Sequence, residues 1–293
     1  MPPISRFEDT PYGPVHVRVH ESDGPTTFVA VHGLGGSSYN WDALAPMLEG
    51  TLLAVDLPGF GLSPPHPGDP FDAYLRVVAD IVRGSNPPVV LIGNSMGGAI
   101  AEHVAVTVDI DGLVLIAPAT PLPPGRPAGD PRVFGRLVLQ GLPLSGPLYS
   151  RHLAESKTPR DQVKDLLAIV AAHPASIAPD LVTGAERLAS LRRHLPWTYR
   201  AFSDALRSVA IRLVQRRTFF RTVDDVKAPT LLLYGSEDRV VSPHALRYLA
   251  DRRPDWTTVE LDDIGHVPML EVPATVALTI AEWMGSRVAA RAG

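Results

Sequence analysis

Val89-Val90-Leu91-Ile92-Gly93-Asn94-Ser95-Met96-Gly97-Gly98-Ala99-Ile100-Ala101-Glu102-His103-Val104 changes character twice within sixteen residues. The first four, apolar and mostly β-branched, read as a strand buried on both faces; a glycine-rich turn follows, and then small and apolar residues at helical spacing. Ser95 stands at the centre of a Gly-x-Ser-x-Gly pattern. A sharp strand-to-helix turn needs that pattern. The serine takes a strained backbone conformation, and a glycine two residues to either side lets neighbouring backbone pass where a Cβ would clash. The hydroxyl is then presented at the carboxyl end of the sheet, the side on which open α/β sheets bind ligands. The bare pattern occurs by chance; its placement between strand and helix gives it weight.

Working outward, residues 12–20 alternate apolar and polar like an antiparallel edge ribbon, and 27–31, 52–55, 113–116 and 230–234 read as buried strands, with 256–261 as the last. Turn residues and helical patterns follow these runs, which predicts a mainly parallel sheet with crossover helices, an α/β fold. The strand pattern stops between Pro118 and Val226. That stretch opens with a proline-rich segment, 118–131, and continues with helical periodicity over 132–140, 160–172, 179–193 and 198–217. The expected organisation is a core of residues 1–117 and 227–293 carrying an all-helical cap at 118–226.

A serine hydroxyl is a weak nucleophile near neutrality, so a histidine must accept its proton and an acid must orient that histidine. Of ten histidines, only His266 lies in a Gly-His loop after the last strand, within Asp262-Asp263-Ile264-Gly265-His266-Val267-Pro268. His16, His20, His66, His103, His152, His173, His194 and His244 read as solvated. The acid is sought after the 230–234 strand, where Ser236-Glu237-Asp238-Arg239 forms a loop; Asp238 is preferred, with Glu237 as the alternative. A tetrahedral oxyanion needs two fixed N–H donors. Met96, which follows the serine, supplies one by position, and Leu34 in His32-Gly33-Leu34-Gly35-Gly36 supplies the other.

Composition limits the partners. Of the 293 residues, 45% are hydrophobic and 20% charged, a globular balance. A formal charge of −4 gives no electrostatic footprint for nucleic acid or an anionic membrane, which favours a small-molecule substrate. With no cysteine, thiol nucleophiles, disulfides and Cys-bound metals are excluded, and no His-Glu-x-x-His zinc motif is present. Neither a basic, apolar leader nor an apolar run of membrane-spanning length appears, so a soluble, cytoplasmic protein without a membrane span is expected.

Five segments in order, His32-Gly33-Leu34-Gly35-Gly36, Asp56-Leu57-Pro58-Gly59-Phe60-Gly61-Leu62-Ser63, residues 93–98, 235–241 and 265–271, resemble the α/β-hydrolase superfamily, in particular its capped members. Ser95, Asp238, His266 is the order of the triad along such chains. The resemblance implies an eight-stranded, mostly parallel sheet, two-step acyl transfer without metal or cofactor, and a turn-ordering role for Asp56. Serine at position 95 sets the chain apart from the related dehalogenases and epoxide hydrolases, whose nucleophile is aspartate. Small or medium apolar carboxylic esters are the expected substrates. Gly93-Asn94-Ser95 is also similar to hydrolases that cleave a carbon–carbon bond in dienoate ring-fission products, although Gly33-Leu34-Gly35-Gly36 and Val267 depart from their pattern. Such a substrate would call for an arginine clamp, with Arg192, Arg193, Arg200 and Arg207 available. A ligand receptor with little turnover is a further alternative from another class. Candidate pocket residues in the cap are Leu137, Leu142, Leu166, Ile169, Phe202 and Leu206; no motif encodes the substrate or the oligomeric state.

Overall fold

The computed structural model describes residues 2–125 and 130–292, the side chains of 134 and 287–292 aside, so residues 126–129 of the proline-rich segment lie outside it. Eight strands form one sheet: β1 (Ile4–Thr10), β2 (Gly13–His20), β3 (Thr26–Val31), β4 (Gly50–Val55), β5 (Val89–Asn94), β6 (Gly112–Ile116), β7 (Thr230–Gly235) and β8 (Thr257–Leu261). Their spatial order is β1-β2-β4-β3-β5-β6-β7-β8. The β1–β2 and β2–β4 pairs are antiparallel and the other pairs parallel. This is the α/β-hydrolase fold expected from the sequence, with β5 near the centre.

Strand periodicity divides the core into two layers. Val29, Val31, Leu91, Leu113, Leu115 and Leu232 point to one face of the sheet, while Phe28, Ala30, Val90, Ile92, Val114 and Leu231 point to the other. On the first face pack α1 (Pro70–Arg83) and α2 (Met96–Val104). Asp69 caps α1 by accepting the N–H of Asp72, and Pro70 begins the helix where its missing donor costs nothing.

Among the described residues, six α-helices come between β6 and β7: α3 (Pro131–Gly141), α4 (Ser145–Glu155), α5 (Pro159–Val170), α6 (Pro179–Arg192), α7 (Thr198–Val214) and α8 (Arg216–Asp225). The sequence reading missed α4, whose Ser-Gly-Pro start is a poor helix opening, and ran α7 on to residue 217, leaving the rest of α8 unread; the two helices part at Gln215. Phe219, Phe220 and Val223 of α8 are buried in the first-face layer, so this part of the insertion packs on the core. After β7 come α9 (Pro243–Arg252), α10 (Pro268–Glu271) and α11 (Pro273–Ala292). No described helix is long and apolar enough to cross a membrane.

The edge differs from expectation. β1 lies outside β2, and its Ile4 and Phe7 are 49% and 54% exposed, so it lacks the buried apolar face by which a strand is recognised. The second position of β2 buries His16 and His20, which the sequence placed in solvent.

Candidate active site

Ser95 follows β5 directly and precedes α2, with φ 56° and ψ −119°. A non-glycine residue in that region is strained by about 1–3 kcal/mol, so surrounding contacts must enforce it. They do: its N–H donates to Ile116 O at 3.0 Å, and its carbonyl accepts from Gly98 N, Ala99 N and Ala119 N. The flanking glycines are required by close approach. A Cβ on Gly93 would lie 2.3 Å from Gly97 O, and one on Gly97 would lie 2.1 Å from Val31 O.

Asp238 and His266 meet across 28 residues of sequence. His266 Nδ1 lies 2.7 Å from Asp238 Oδ2, both side chains being buried. Oδ1 of Asp238 accepts from the N–H groups of Val240 and Val241 at 2.8 and 2.9 Å. The carboxylate is thus saturated and its orientation fixed, whereas Glu237 is exposed. Asp263 is also exposed and pairs with His173, away from this contact.

Two residues that the sequence reading gave no positional role hold the histidine loop. Asn94 Nδ2 donates to Ile116 O at 3.0 Å and to His266 O at 3.2 Å, tying the chain beside Ser95 to the backbone of His266. Glu271, buried on α10, accepts from Gly265 N with one oxygen and from Ala172 N and His173 N with the other. His266 N in turn donates to Val170 O at the end of α5. The loop is therefore fastened to both sheet and insertion. Glu271 stands five residues after His266, inside the segment that carries the family likeness, which is the signal that could have found it. The Ser95 hydroxyl makes no hydrogen bond to His266 among the described residues, an arrangement common before substrate binds.

The turn at Leu34 is set from its carbonyls. Gly33 O accepts from Gly36 N at 2.9 Å and from His32 Nδ1 at 2.8 Å. In a trans peptide the N–H points opposite to the C=O, so fixing Gly33 O also fixes the Leu34 N–H. Neither that N–H nor the N–H of Met96 donates a hydrogen bond among the described residues. His32 Nε2 accepts from Leu57 N at 3.1 Å, so the ring is neutral with its proton on Nδ1. Burial pushes its pKa down to about 4. Asp56 stands behind it, accepting from His16 Nδ1, Ser38 N and Leu62 N. Burial alone would raise the Asp56 carboxyl; the hydrogen bond from His16, the nearby His32 and the backbone donors outweigh it and hold it below the ordinary range. A turn-ordering role matches this geometry.

Arg192, on α6, donates from Nη1 to Gly35 O at 2.8 Å and from Nη2 to Gly36 O at 2.6 Å. Desolvation lowers its pKa to about 10. The insertion thus grips the glycine turn with a half-buried fork. The other arginines considered as clamps are also engaged: Arg193 with Ala154 O and Lys157 O, Arg200 and Arg207 with Asp204.

The six candidate pocket residues scatter. Phe202 helps line a cavity of about 40 Å³ with Gly35, Gly59, Phe60, Gly61, Arg192 and Thr198, on the insertion side of the turn. Leu206 packs 3.6 Å from where a Cβ on Gly141 would stand, and Leu137 and Ile169 are half-buried. Leu142 and Leu166 are 41% and 50% exposed. A wider groove of about 600 Å³ runs between Tyr39, Asp42 and Met47 and the outer side of α6, and none of its lining residues is Ser95, Asp238 or His266.

The sheet order, the strained serine and the buried acid–histidine pair describe one class of protein, and the alpha/beta hydrolase family matches over residues 28–278: the chain belongs to that family. It is 26% identical over 282 residues to the 2-hydroxy-6-oxononadienedioate/2-hydroxy-6-oxononatrienedioate hydrolase of Cupriavidus pinatubonensis (strain JMP 134 / LMG 1197), covering 87% of this chain and 90% of that one. It is also 26% identical over 253 residues to Lipase 1 of Psychrobacter immobilis, covering 82% and 71%. Among solved structures, a thermophilic esterase from Thermogutta terrifontis superposes with a TM-score of 0.69 at 22% identity, covering 98% of this chain and 99% of that one.

Proposed function

We propose that this hydrolase acts by acyl transfer through Ser95, on small or medium apolar carboxylic esters. The observation that carries the reading is the buried Asp238–His266 pair, 2.7 Å apart, fastened through Asn94 to the strand that ends in a strained serine. In the proposed reaction the Ser95 oxygen attacks the ester carbonyl while His266 Nε2 takes its proton; Asp238 holds the tautomer and stabilises the imidazolium. The Leu34 and Met96 N–H groups receive the oxyanion. Collapse expels the alcohol, which takes the proton from His266, and water repeats the sequence on the acyl-enzyme to release the acid. No step calls for a metal or cofactor. The helices of 118–226 would act as a lid, and Phe202, beside the glycine turn, is the best placed of the pocket candidates.

Cleavage of a dienoate is the second reading, favoured by the relative from Cupriavidus and by Asn94. Against it, Arg192 spends its fork on Gly35 and Gly36, and the other arginines proposed as clamps have partners of their own. Comparing kcat/KM for p-nitrophenyl butyrate with that for a 2-hydroxy-6-oxo-dienoate decides between them. The ester is expected to be preferred; a dienoate preference of about a hundredfold or more would overturn the ester assignment. Turnover of neither, with ligand binding retained, would favour a receptor.

A further inference from the structure

The net charge of −4 hides a strong division along the chain. Residues 118–226 contain 16 Lys and Arg against 9 Asp and Glu, a net of +7, and the remainder contains 11 against 22, a net of −11. At the corner where α3 turns into α4, the basic insertion also exposes a group of apolar side chains: Leu144 is 89% exposed and Leu148 69%, with Val138 and Leu139 at 49% and 47%. Helical spacing arranges these with the charges. On α3, exposed Arg132 and Arg136 precede Leu139 at intervals of four and three, so they share its face. On α4, Leu148 is followed by Arg151 three residues on. Each helix thus carries leucines toward the corner and arginine farther along, and Arg132 and Arg136 have no ion-pair partner among the described residues.

We propose that the α3–α4 corner docks the protein on an anionic lipid surface, its leucines entering the acyl boundary and Arg132 and Arg136 meeting the headgroups. Exposed leucine rimmed by arginine is the arrangement that interfacial binding uses: apolar insertion and headgroup attraction act together. The charge division orients the molecule, because the core at −11 is repelled by the same surface that attracts the insertion at +7. A second copy fits the patch less well, since two such corners would bring like charges together. Docking here presents the insertion to the interface, and does not depend on which acyl compound Ser95 handles.

The test is co-sedimentation of the full chain with vesicles of phosphatidylglycerol and phosphatidylcholine, and with phosphatidylcholine alone. The full chain should bind the anionic vesicles and release from them in high salt, since each arginine near such a surface is worth about fivefold in partitioning. The double variant Arg132→Glu, Arg136→Glu should weaken binding by about thirtyfold or more. The double variant Leu144→Asp, Leu148→Asp should weaken it by at least about tenfold, while keeping the wild-type melting temperature because neither side chain is packed. Failure to bind, equal binding to neutral vesicles, or anionic binding unchanged in either variant would overturn the proposal. So would a concentration-dependent dimer abolished by the leucine substitutions, which would assign the corner to a second copy.

Discussion

Acidification should destabilise the protein through His32, one buried ring that orders the Leu34 turn. The neutral ring donates to Gly33 O and accepts from Leu57 N, so a second proton leaves the Leu57 N–H facing another donor inside the core. Burial places the folded pKa at about 4, whereas an unfolded histidine titrates near the ordinary 6.5. Between those values the unfolded chain holds a proton that the folded chain refuses, so stability falls as pH falls from about 6.5 to about 4 and the loss is complete below that. The slope is about 1.4 kcal/mol per pH unit, and the whole window amounts to roughly 3 kcal/mol, a large part of the stability of a typical domain. Urea unfolding from pH 7.5 to 4, for the wild type and His32→Asn, measures it. Asparagine can still donate to Gly33 O, loses the Leu57 acceptor and does not titrate. The variant should be less stable at neutrality by about 1 kcal/mol, with a flatter decline on acidification. Parallel curves for the two proteins would refute the reasoning.

Further expectations address other groups. Asp238→Asn should lower kcat on the order of 10³–10⁴-fold, and Glu237→Gln should leave it within about twofold, because only Asp238 faces the histidine; comparable losses would move the acid to Glu237. Asn94→Ala removes the donor to His266 O and Ile116 O, and should reduce kcat more than it raises KM; a pure KM effect would make Asn94 a substrate contact instead. Glu102 lies fully buried in α2 with neither oxygen hydrogen-bonded among the described residues, and desolvation raises its carboxyl well above the ordinary range. Here the folded state holds the extra proton, so stability should decline as pH rises above about 4.5, by up to about 1.4 kcal/mol per unit. Glu102→Gln should flatten that decline in a thermal-melt series, and an unchanged slope would assign the decline to another group.

Local signals were legible where they obeyed a period or a steric demand. The strand runs at 27–31, 89–92 and 113–116 were recognisable because each buries both faces, and Gly93 and Gly97 because no larger residue fits. Asp238 and His266 could be named from loops that follow strands, since parallel strands bring those loops to one edge. What escaped depended on distant contacts. His16 looked solvated because the strand that pairs beside it, β1, has no apolar face of its own, and His20, beyond the β1 register, is buried beside Leu52 of β4 and Asp42. Asn94 acts on a backbone atom of the histidine loop, a relation with no residue pattern, and Glu271 was marked only by its place in the 265–271 likeness. Arg192 was considered as a ligand clamp, and only the fold reveals that Gly35 and Gly36 occupy its fork.

The central claim, that Ser95 is the nucleophile activated by His266, is tested most directly by covalent labelling. The purified protein is treated with a fluorophosphonate and the modified residue located by peptide mass spectrometry. The account predicts one stoichiometric adduct, on Ser95, absent from Ser95→Ala and slowed by a thousandfold or so in His266→Ala. Labelling that persists in Ser95→Ala, or that proceeds at the wild-type rate without His266, would contradict it.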